Sequence, residues 1–222
     1  MLKLKKIRNG AFRELGNDEC RILFIRHADH RGNVTTERAR RRLRRQGNSL
    51  REAGLIVSSA ISSPADRAII GVYETKAGMG CGGHTFTDKR LGDLKMESAE
   101  LLVQIRKAAK ETGISAEVII YQMADTDDTI CRMLIHRAIE GASALRALAK
   151  NYPGRTTIAG SHGGSRMEAV ILELQKNICN DSIPKPEYFI VRGCIVEIIL
   201  NAKNGELVEL HYLQHPDDTS AA

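Results

Sequence analysis

Tryptophan is absent from the sequence, and aromatic residues make up only 4% of its 222 residues. Proteins that bind single-stranded nucleic acid stack the bases on aromatic side chains, so this scarcity argues against such a surface. The core must be built from isoleucine, leucine, valine and alanine instead. The hydrophobic share of 42% and the charged share of 27% are ordinary globular values. The length suits one domain, with or without an inserted cap.

Cysteine is sparse and shows no pattern. The five cysteines are scattered, and no pair has the Cys-x-x-Cys spacing of zinc sites and redox motifs. This argues against a disulfide framework and favours free thiols in a reducing cytoplasm. No apolar stretch has the length of a membrane span or the form of a signal peptide. We therefore expect a cytoplasmic protein without a membrane partner, and the sequence has no signature of its oligomeric state.

The formal net charge is +6, which favours an anionic partner. Much of the excess lies in the arginine-rich run 38–45. This run falls on a predicted helix, and we interpret it as a solvated face rather than a nucleic-acid patch. The expected partner is a small phosphorylated metabolite or a phosphoprotein, with no nucleic acid.

Short apolar runs alternate with helical patterns along the chain. Runs of this kind are typical of strands buried on both faces of a parallel sheet. The pattern predicts strands at 20–26, 55–63, 84–87 and 156–161, and helices at 36–54, 64–77 and 165–176. The dipeptide Asn204-Gly205 predicts a hairpin between 189–200 and 206–213.

These elements predict an α/β fold, a three-layer α/β/α sandwich with a mainly parallel central sheet and an antiparallel edge hairpin. Residues 1–222 form a single domain in this interpretation. Its mostly helical stretch at 95–150 is a candidate cap or insertion, although a plain packing role fits equally well.

Three predicted strands end in unusual polar residues: Arg26-His27, then Ser63 to Arg67, then Ser161-His162. The carboxyl ends of parallel strands lie along one edge, where α/β sheets bind ligands. Two arginines and two histidines at one edge indicate an anion. The arginine fork matches phosphate oxygens, and histidine nitrogen can act as a nucleophile.

These segments carry a family pattern in order: Arg26-His27-Ala28, Ser63-Pro64-Ala65-Asp66-Arg67-Ala68, and Ser161-His162-Gly163-Gly164. The chain resembles the histidine phosphatase superfamily, the phosphoglycerate mutase-like proteins, over roughly residues 20–175. The family motifs read Arg-His-Gly, Ser-Pro-x-x-Arg-Ala and Ser-His-Gly-Gly. Ala28 departs from the first motif; the change is small, and we expect its methyl group to crowd the backbone near the phosphate. Gly71 stands where a threonine is common, at a position we take as structural.

The resemblance implies roles for the matching residues. His27 would be the nucleophile that takes the phosphoryl group, and Arg26 and Arg67 would clamp its oxygens. His162 would contact the same phosphate and neutralise charge in the transition state. Gly163 of the same motif and Asn33 complete the expected substrate-binding set. No metal and no cofactor is required.

The family also needs a general acid in a loop after the third strand. The segment Leu91-Gly92-Asp93 lies at that point, and we choose Asp93, with Glu97 and Asp88 as substitutes. Such an acid must keep its proton near neutrality, through partial burial or a nearby anion.

The expected reaction is hydrolysis of a phosphomonoester, or of phosphohistidine, through a phosphohistidine intermediate on His27. A phosphoglycerate mutase is the alternative enzyme, but the segment after His27 lacks the Glu-Ser pair and the aromatic stretch typical of mutases. A non-catalytic phospho-ligand binder is the alternative outside catalysis.

Two other motifs have weaker alternatives. The segment His27-Ala28-Asp29-His30 suggests a zinc metallohydrolase, against which the neighbouring Arg26 counts. The glycine-rich segment 78–83 matches a dinucleotide fingerprint by letter, but a helix precedes it and a strand follows, so we interpret it as a turn.

Overall fold

The computed structural model describes residues 3–8, 10–27, 30–31, 34–92, 99–161, 164–179, 181–187, 189–190 and 192–214. The strands are β1 (Lys3–Lys6), β2 (Glu19–Arg26), β3 (His30–Arg31), β4 (Val34–Thr35), β5 (Val57–Ser62), β6 (Phe86–Thr87), β7 (Thr156–Ser161), β8 (Ile195–Asn201) and β9 (Leu207–Gln214). The helices are α1 (Glu37–Glu52), α2 (Asp66–Gly78), α3 (Ala99–Thr112), α4 (Ala116–Ala124), α5 (Asp128–Asn151) and α6 (Gly164–Leu174), with a 3₁₀ turn at Lys89–Leu91. Within these residues no helix is long and apolar enough to cross a membrane.

Among the described residues, seven strands form one sheet in the order β1-β9-β8-β2-β7-β5-β6. Strand β2 runs parallel to β7, β7 to β5, and β5 to β6. Only β8 runs against the other strands of this sheet, since it is antiparallel to both β2 and β9. The predicted mainly parallel sheet is therefore confirmed.

Strand β2 lies in the middle of the sheet, and its side chains pack into two separate cores. Ile22 and Phe24 belong to one buried cluster, whereas Leu23 and Ile25 belong to another. Side chains alternate between the faces of a strand, so both faces of β2 must be covered. The continuous apolar run in the sequence has this cause.

Helices cover the sheet on both faces. Leu43 of α1 and Val72 of α2 join the cluster that contains Leu23 and Ile25. Helices α5 and α6 pack on the other face, through residues such as Leu145 and Val170. The three-layer α/β/α sandwich predicted from the sequence is confirmed.

The helical boundaries follow local capping. Thr36 accepts a hydrogen bond from the Ala39 backbone N–H and starts α1, where the sequence offers Thr35 or Thr36 as the cap. The stretch near 95–150 holds a helix that the sequence analysis did not separate. Gly113, at φ +69°, follows α3, and Ser115 then caps α4.

The hairpin also differs in one detail from the prediction. Strands β8 and β9 form it, with Gly205 at φ +73° in the turn. It does not end the sheet, because β1 pairs in parallel with the outer side of β9. A four-residue strand rich in lysine gives too short an apolar signal to be predicted from sequence.

Helices α1 and α2 cross at two glycines. A β-carbon on Gly47 would overlap the Thr75 carbonyl oxygen and lie 3.0 Å from the Cα of Gly78. A β-carbon on Gly78 would in turn overlap the Arg44 carbonyl oxygen. Backbone atoms cannot move aside as a flexible side chain can, so both positions require glycine. This crossing sets how closely α1 and α2 approach each other.

Substitution Gly47→Ala should lower the free energy of unfolding by roughly 2 kcal/mol or more, because overpacking outweighs the helix propensity gained. Urea unfolding measures the change. The matched control is Gly82→Ala, where a β-carbon has nothing within 4 Å. Equal stability of the two variants would contradict the close crossing.

Candidate functional site

The parallel strands bring the predicted motifs to one edge of the sheet. In register, Arg26 of β2 lies beside Ser161 of β7, and Ser62 of β5 lies beside Gly160. The three strands therefore end together. Helix α2 begins just after β5, and α6 begins just after β7. Two helix N-termini, which favour anions, thus start at the same edge as Arg26.

His27, the predicted nucleophile, directly follows β2 and is buried, with 4% of its surface exposed. Its carbonyl and that of Arg26 both accept from the Gly193 backbone N–H, at 3.1 and 3.2 Å. These bonds tie the end of β2 to the turn before β8. Gly71 of α2 faces His27, since a β-carbon there would lie 3.9 Å from the His27 Cα.

Arg67, the second predicted clamp, lies half-buried in the first turn of α2. The N-cap position, Ala65, makes no side-chain cap hydrogen bond. The Ala65 N–H instead approaches the Ser63 hydroxyl at 3.4 Å. The first turn of α2 therefore offers a guanidinium and a helix N-terminus together, an arrangement suited to an anion.

Arg26 is held on two sides in the interior. Its Nη1 donates to the Ile190 carbonyl, and its Nη2 donates to the carboxylate of Glu117 on α4. The Arg26 Nε is buried and has no acceptor among the described residues. A buried donor without an acceptor costs free energy unless a ligand supplies one. The guanidinium is thus held in one orientation, and its Nε can still donate to an acceptor on a ligand.

Two carboxylates flank this guanidinium. Burial acts to raise the pKa of Glu117, but attraction to Arg26 outweighs it, and the pKa falls below the usual value. Glu168 on α6 behaves in the opposite way. Burial raises the pKa of Glu168 to about 8, although the charge of Arg26 acts against that rise. Glu117 is therefore ionised at neutral pH, and Glu168 is mostly protonated.

Glu168 connects α6 to the segment that holds Arg26. Its Oε1 accepts from the Ile190 backbone N–H at 2.7 Å, while the Ile190 carbonyl accepts from Arg26. Its Oε2 is buried without a partner in the described structure. Glu168 and Arg26 thus hold the two polar backbone groups of the same residue.

Two hydroxyls add to this edge. The Oγ atoms of Ser62 and Ser161 are buried and make no hydrogen bond to the described residues. Buried polar atoms in folded proteins are nearly always bonded, so each unmade bond indicates a ligand or a bound water. Ser62 faces α2, since a β-carbon on Gly160 would meet both its hydroxyl and Val72. Ser161 is in register with Arg26, so these two side chains leave the sheet on the same face, opposite to that of Ser62.

Asp88, a substitute candidate for the acid, is poorly suited to that role. Its carboxylate accepts from the Arg90 side chain at 2.7 Å and from the Arg90 backbone N–H at 2.9 Å. Burial acts to raise the pKa of Asp88, but these bonds outweigh it, and the pKa is lowered. A carboxyl group that keeps no proton cannot donate one to a leaving group.

The remaining predicted site residues lie outside the described part of the chain. They are Asn33, Asp93, Glu97, His162 and Gly163. His162 directly follows Ser161 in sequence, but its position stays a prediction. The structure therefore brings together Arg26, His27 and the helix that carries Arg67, and leaves the other roles untested.

Glu117 and Glu168 were missed by the sequence analysis. Glu168 has a signal, since it interrupts the apolar residues of α6 in MEAVIL, where a charged residue is seldom buried alone. Glu117 has none, because an acidic residue in the first turn of a helix is ordinary. Only the packing of α4 beside β2 gives it a role.

Among the described residues, the cysteines, the possible metal ligands and a cavity elsewhere do not form part of this site. All five cysteines are free thiols. Across the described ranges, no three histidine, cysteine or carboxylate side chains come together as metal ligands. A cavity of about 350 Å³ lies at the opposite ends of the strands, where Arg21 and Thr156 line it.

Comparison with known proteins gives a match in fold. No protein-family model and no curated protein matches the sequence. Among solved structures, phosphoglycerate mutase from Bacillus anthracis str. Sterne matches with a TM-score of 0.61 at 16% identity, over 86% of this chain and 92% of that one. The chain has the phosphoglycerate mutase fold.

Further structures share the phosphoglycerate mutase fold with this chain. Bacillus stearothermophilus YhfR has a TM-score of 0.57 at 15% identity, over 85% of this chain and 94% of that one. The protein histidine phosphatase SixA, complexed with tungstate, has a TM-score of 0.51 at 14% identity, over 86% and 95%. The resemblance to the histidine phosphatase superfamily is thus confirmed at the level of the fold.

Substitution Glu168→Gln should remove part of the pH dependence of stability. As pH rises from about 5 to about 8, unfolded wild-type chains lose this proton while folded chains keep it, so the free energy of unfolding falls. Glutamine does not titrate. The variant should gain roughly 1–3 kcal/mol relative to wild type across that range, by urea unfolding at both pH values.

The control for this measurement is Glu187→Gln, at an exposed position on the neighbouring segment. It should follow the wild-type pH dependence. An unchanged pH dependence in Glu168→Gln would show that the buried carboxyl is ionised in the folded protein.

Proposed function

We propose that this chain is a histidine-type phosphatase, a phosphoric ester hydrolase that acts through a phosphohistidine on His27. The His27 imidazole nitrogen attacks phosphorus as the bond to the leaving oxygen breaks. Asp93 gives a proton to that oxygen. Water then attacks the phosphohistidine and releases inorganic phosphate, which frees His27 for another turnover. None of these steps needs a metal or an organic cofactor.

The observation that carries this proposal is the pair Arg26 and His27, buried side by side at the end of the central strand. A buried guanidinium with an unsatisfied Nε donor favours an anion at that place. Phosphoryl transfer depends mainly on positioning and on stabilising charge, and the fixed guanidinium supplies both. The histidine next to it is buried rather than on the surface, which supports its role as the nucleophile.

The rest of the proposed clamp comes from the helices that start at this edge. Arg67 and the uncapped first turn of α2 support binding of the phosphoryl oxygens. His162 neutralises charge in the transition state, and Gly163 and Asn33 bind the same group. For these three residues the support is the order of the motifs and the fold.

The matched structures support a phosphate-like ligand. The SixA structure holds tungstate, and a mycobacterial glucosyl-3-phosphoglycerate phosphatase, with a TM-score of 0.52 at 14% identity, is a complex with VO3. Both ligands are oxyanions. The substrate class for this chain is a small phosphorylated metabolite or a phosphoprotein, including protein phosphohistidine.

A mutase is the second candidate, favoured by the match to phosphoglycerate mutase. Such an enzyme must hold its phosphoryl group away from water until a second substrate takes it. The sequence departs from the mutase pattern after His27, so hydrolysis has the stronger support.

Three further features belong to the proposal. The free thiols favour the cytoplasm. The helices at 95–150 serve as a cap over the edge, for which Glu117 beside Arg26 is the support. The arginines of α1 form a solvated face rather than a nucleic-acid patch, which is supported by the ion pairs of Arg44 with Glu74 at 2.6 Å and of Arg41 with Glu37 at 3.1 Å.

Substitution His27→Ala should lower p-nitrophenyl phosphate hydrolysis by at least roughly 10³-fold, because it removes the nucleophile. Circular dichroism verifies that the variant is folded. The control His84→Ala, at an exposed histidine, should keep full activity. Activity retained without His27, or lost on adding chelator to wild type, would reject this mechanism.

Substitution Asp93→Asn should slow hydrolysis most for the substrates whose leaving groups are most basic. An alkyl phosphate needs its leaving oxygen protonated, whereas p-nitrophenolate leaves without help. We expect roughly 10²-fold or greater loss for the alkyl ester and a much smaller loss for the nitrophenyl ester. Equal losses for both would exclude Asp93 as the acid. If the wild-type protein hydrolyses neither ester but binds phosphate, it is a phospho-ligand binding protein rather than an enzyme.

A further inference from the structure

The carboxylate of Glu117 lies beside Arg26, on the more exposed side of the proposed phosphate site, which we call its mouth. It is the second residue of α4, whose N-cap Ser115 accepts from the Val118 backbone N–H at 3.4 Å. Its carboxylate accepts from Arg26 Nη2, although the two residues are 91 positions apart in sequence. The Glu117 side chain keeps 19% of its surface exposed, against 6% for Arg26. Glu117 therefore sits between the buried guanidinium and the solvent.

The guanidinium cannot turn away from this carboxylate without breaking buried hydrogen bonds. The Ile190 carbonyl holds Nη1, and the Ile190 N–H is held by Glu168 in turn. A phosphoryl group that binds the remaining donors of Arg26 then lies within roughly 6 Å of the Glu117 carboxylate, since both bind the same planar fork. The phosphoryl group of the substrate and the Glu117 carboxylate would then both bind the Arg26 guanidinium.

We propose that Glu117 determines specificity, by selecting phosphate esters whose leaving group is neutral or cationic over those that carry a second anionic group. This inference rests on the proposed phosphatase function. A phosphoryl group bound to Arg26 lies near Glu117, and the two arginines of the clamp offset that repulsion. A further anion on the leaving group adds repulsion from the same carboxylate, without a second cation of the clamp to offset it.

The charged groups around Glu117 do not cancel its repulsion of a second anion. Arg192 also acts on Glu117, and together with Arg26 it favours the ionised carboxylate over the protonated acid. Glu168, on the other side of Arg26, is fully buried and mostly protonated, so it cannot replace the charge of Glu117 at the mouth. Selection by charge therefore depends on one side chain.

Substitution Glu117→Gln tests the proposal, since it keeps an acceptor for Arg26 and removes the charge. The ligand pair is glycerol 3-phosphate and 3-phosphoglycerate, which differ by a carboxylate in place of a hydroxymethyl group. Wild type should favour glycerol 3-phosphate in kcat/KM, and the variant should reduce that preference by roughly tenfold. The control is Asp125→Asn, which removes one charge at the exposed C-cap of the same helix.

A preference that stays within twofold of wild type, or that changes equally in Asp125→Asn, would overturn the proposal. This result is expected if the salt bridge between Glu117 and Arg26 only stabilises the position of α4, because kcat/KM would then fall equally for both ligands. Calorimetric Kd values for the two ligands repeat the test without turnover, so an inactive chain still decides it. Wild type that binds neither ligand but hydrolyses p-nitrophenyl phosphate would overturn the role of Glu117 alone, and wild type that does neither would reject the proposed function as well.

Discussion

The parallel pairing of β2 with β7, and of β7 with β5, is the constraint on which the site depends. It aligns Arg26 with Ser161 and Ser62 with Gly160, so three distant stretches of chain end at one edge. A slip of one residue would turn every side chain of β2 to the opposite face. Because β2 is buried on both faces, such a slip would exchange Phe24 with Ile25 in well-packed cores. Packing therefore enforces the register, and the register places Arg26 and His27 at that edge.

The second constraint is the charge around Arg26. One buried guanidinium lies between an ionised carboxylate, Glu117, and a protonated one, Glu168. Two buried negative charges on one cation would be costly, so burial keeps the deeper carboxyl group neutral. The result is an arginine held rigidly, with free donors at the edge where the motifs end. Rigid donors are what charge stabilisation in a transition state requires, since they need no rearrangement during the reaction.

The helices between β6 and β7 connect these two constraints. Helices α3, α4 and α5 share a separate buried cluster with α6, which includes Ile119, Leu134 and Leu172. This packing holds α4 beside the end of β2. These helices thus contribute a charged group beside Arg26 as well as buried surface.

Local patterns in the sequence determined a large part of the fold. The apolar run of β2, the start of α1 at a threonine cap and the turn at Asn204-Gly205 each depend on neighbouring residues, and each was predicted from the sequence. The choice between Thr35 and Thr36 as the cap was left to the structure. The motif residues Arg26, His27 and Arg67 were also found from sequence. The tertiary structure alone decided the place of β1 beyond β9 and the meeting of Glu117 and Glu168 with Arg26. These contacts join segments far apart in the chain, and they follow from which surfaces are buried together rather than from any local preference.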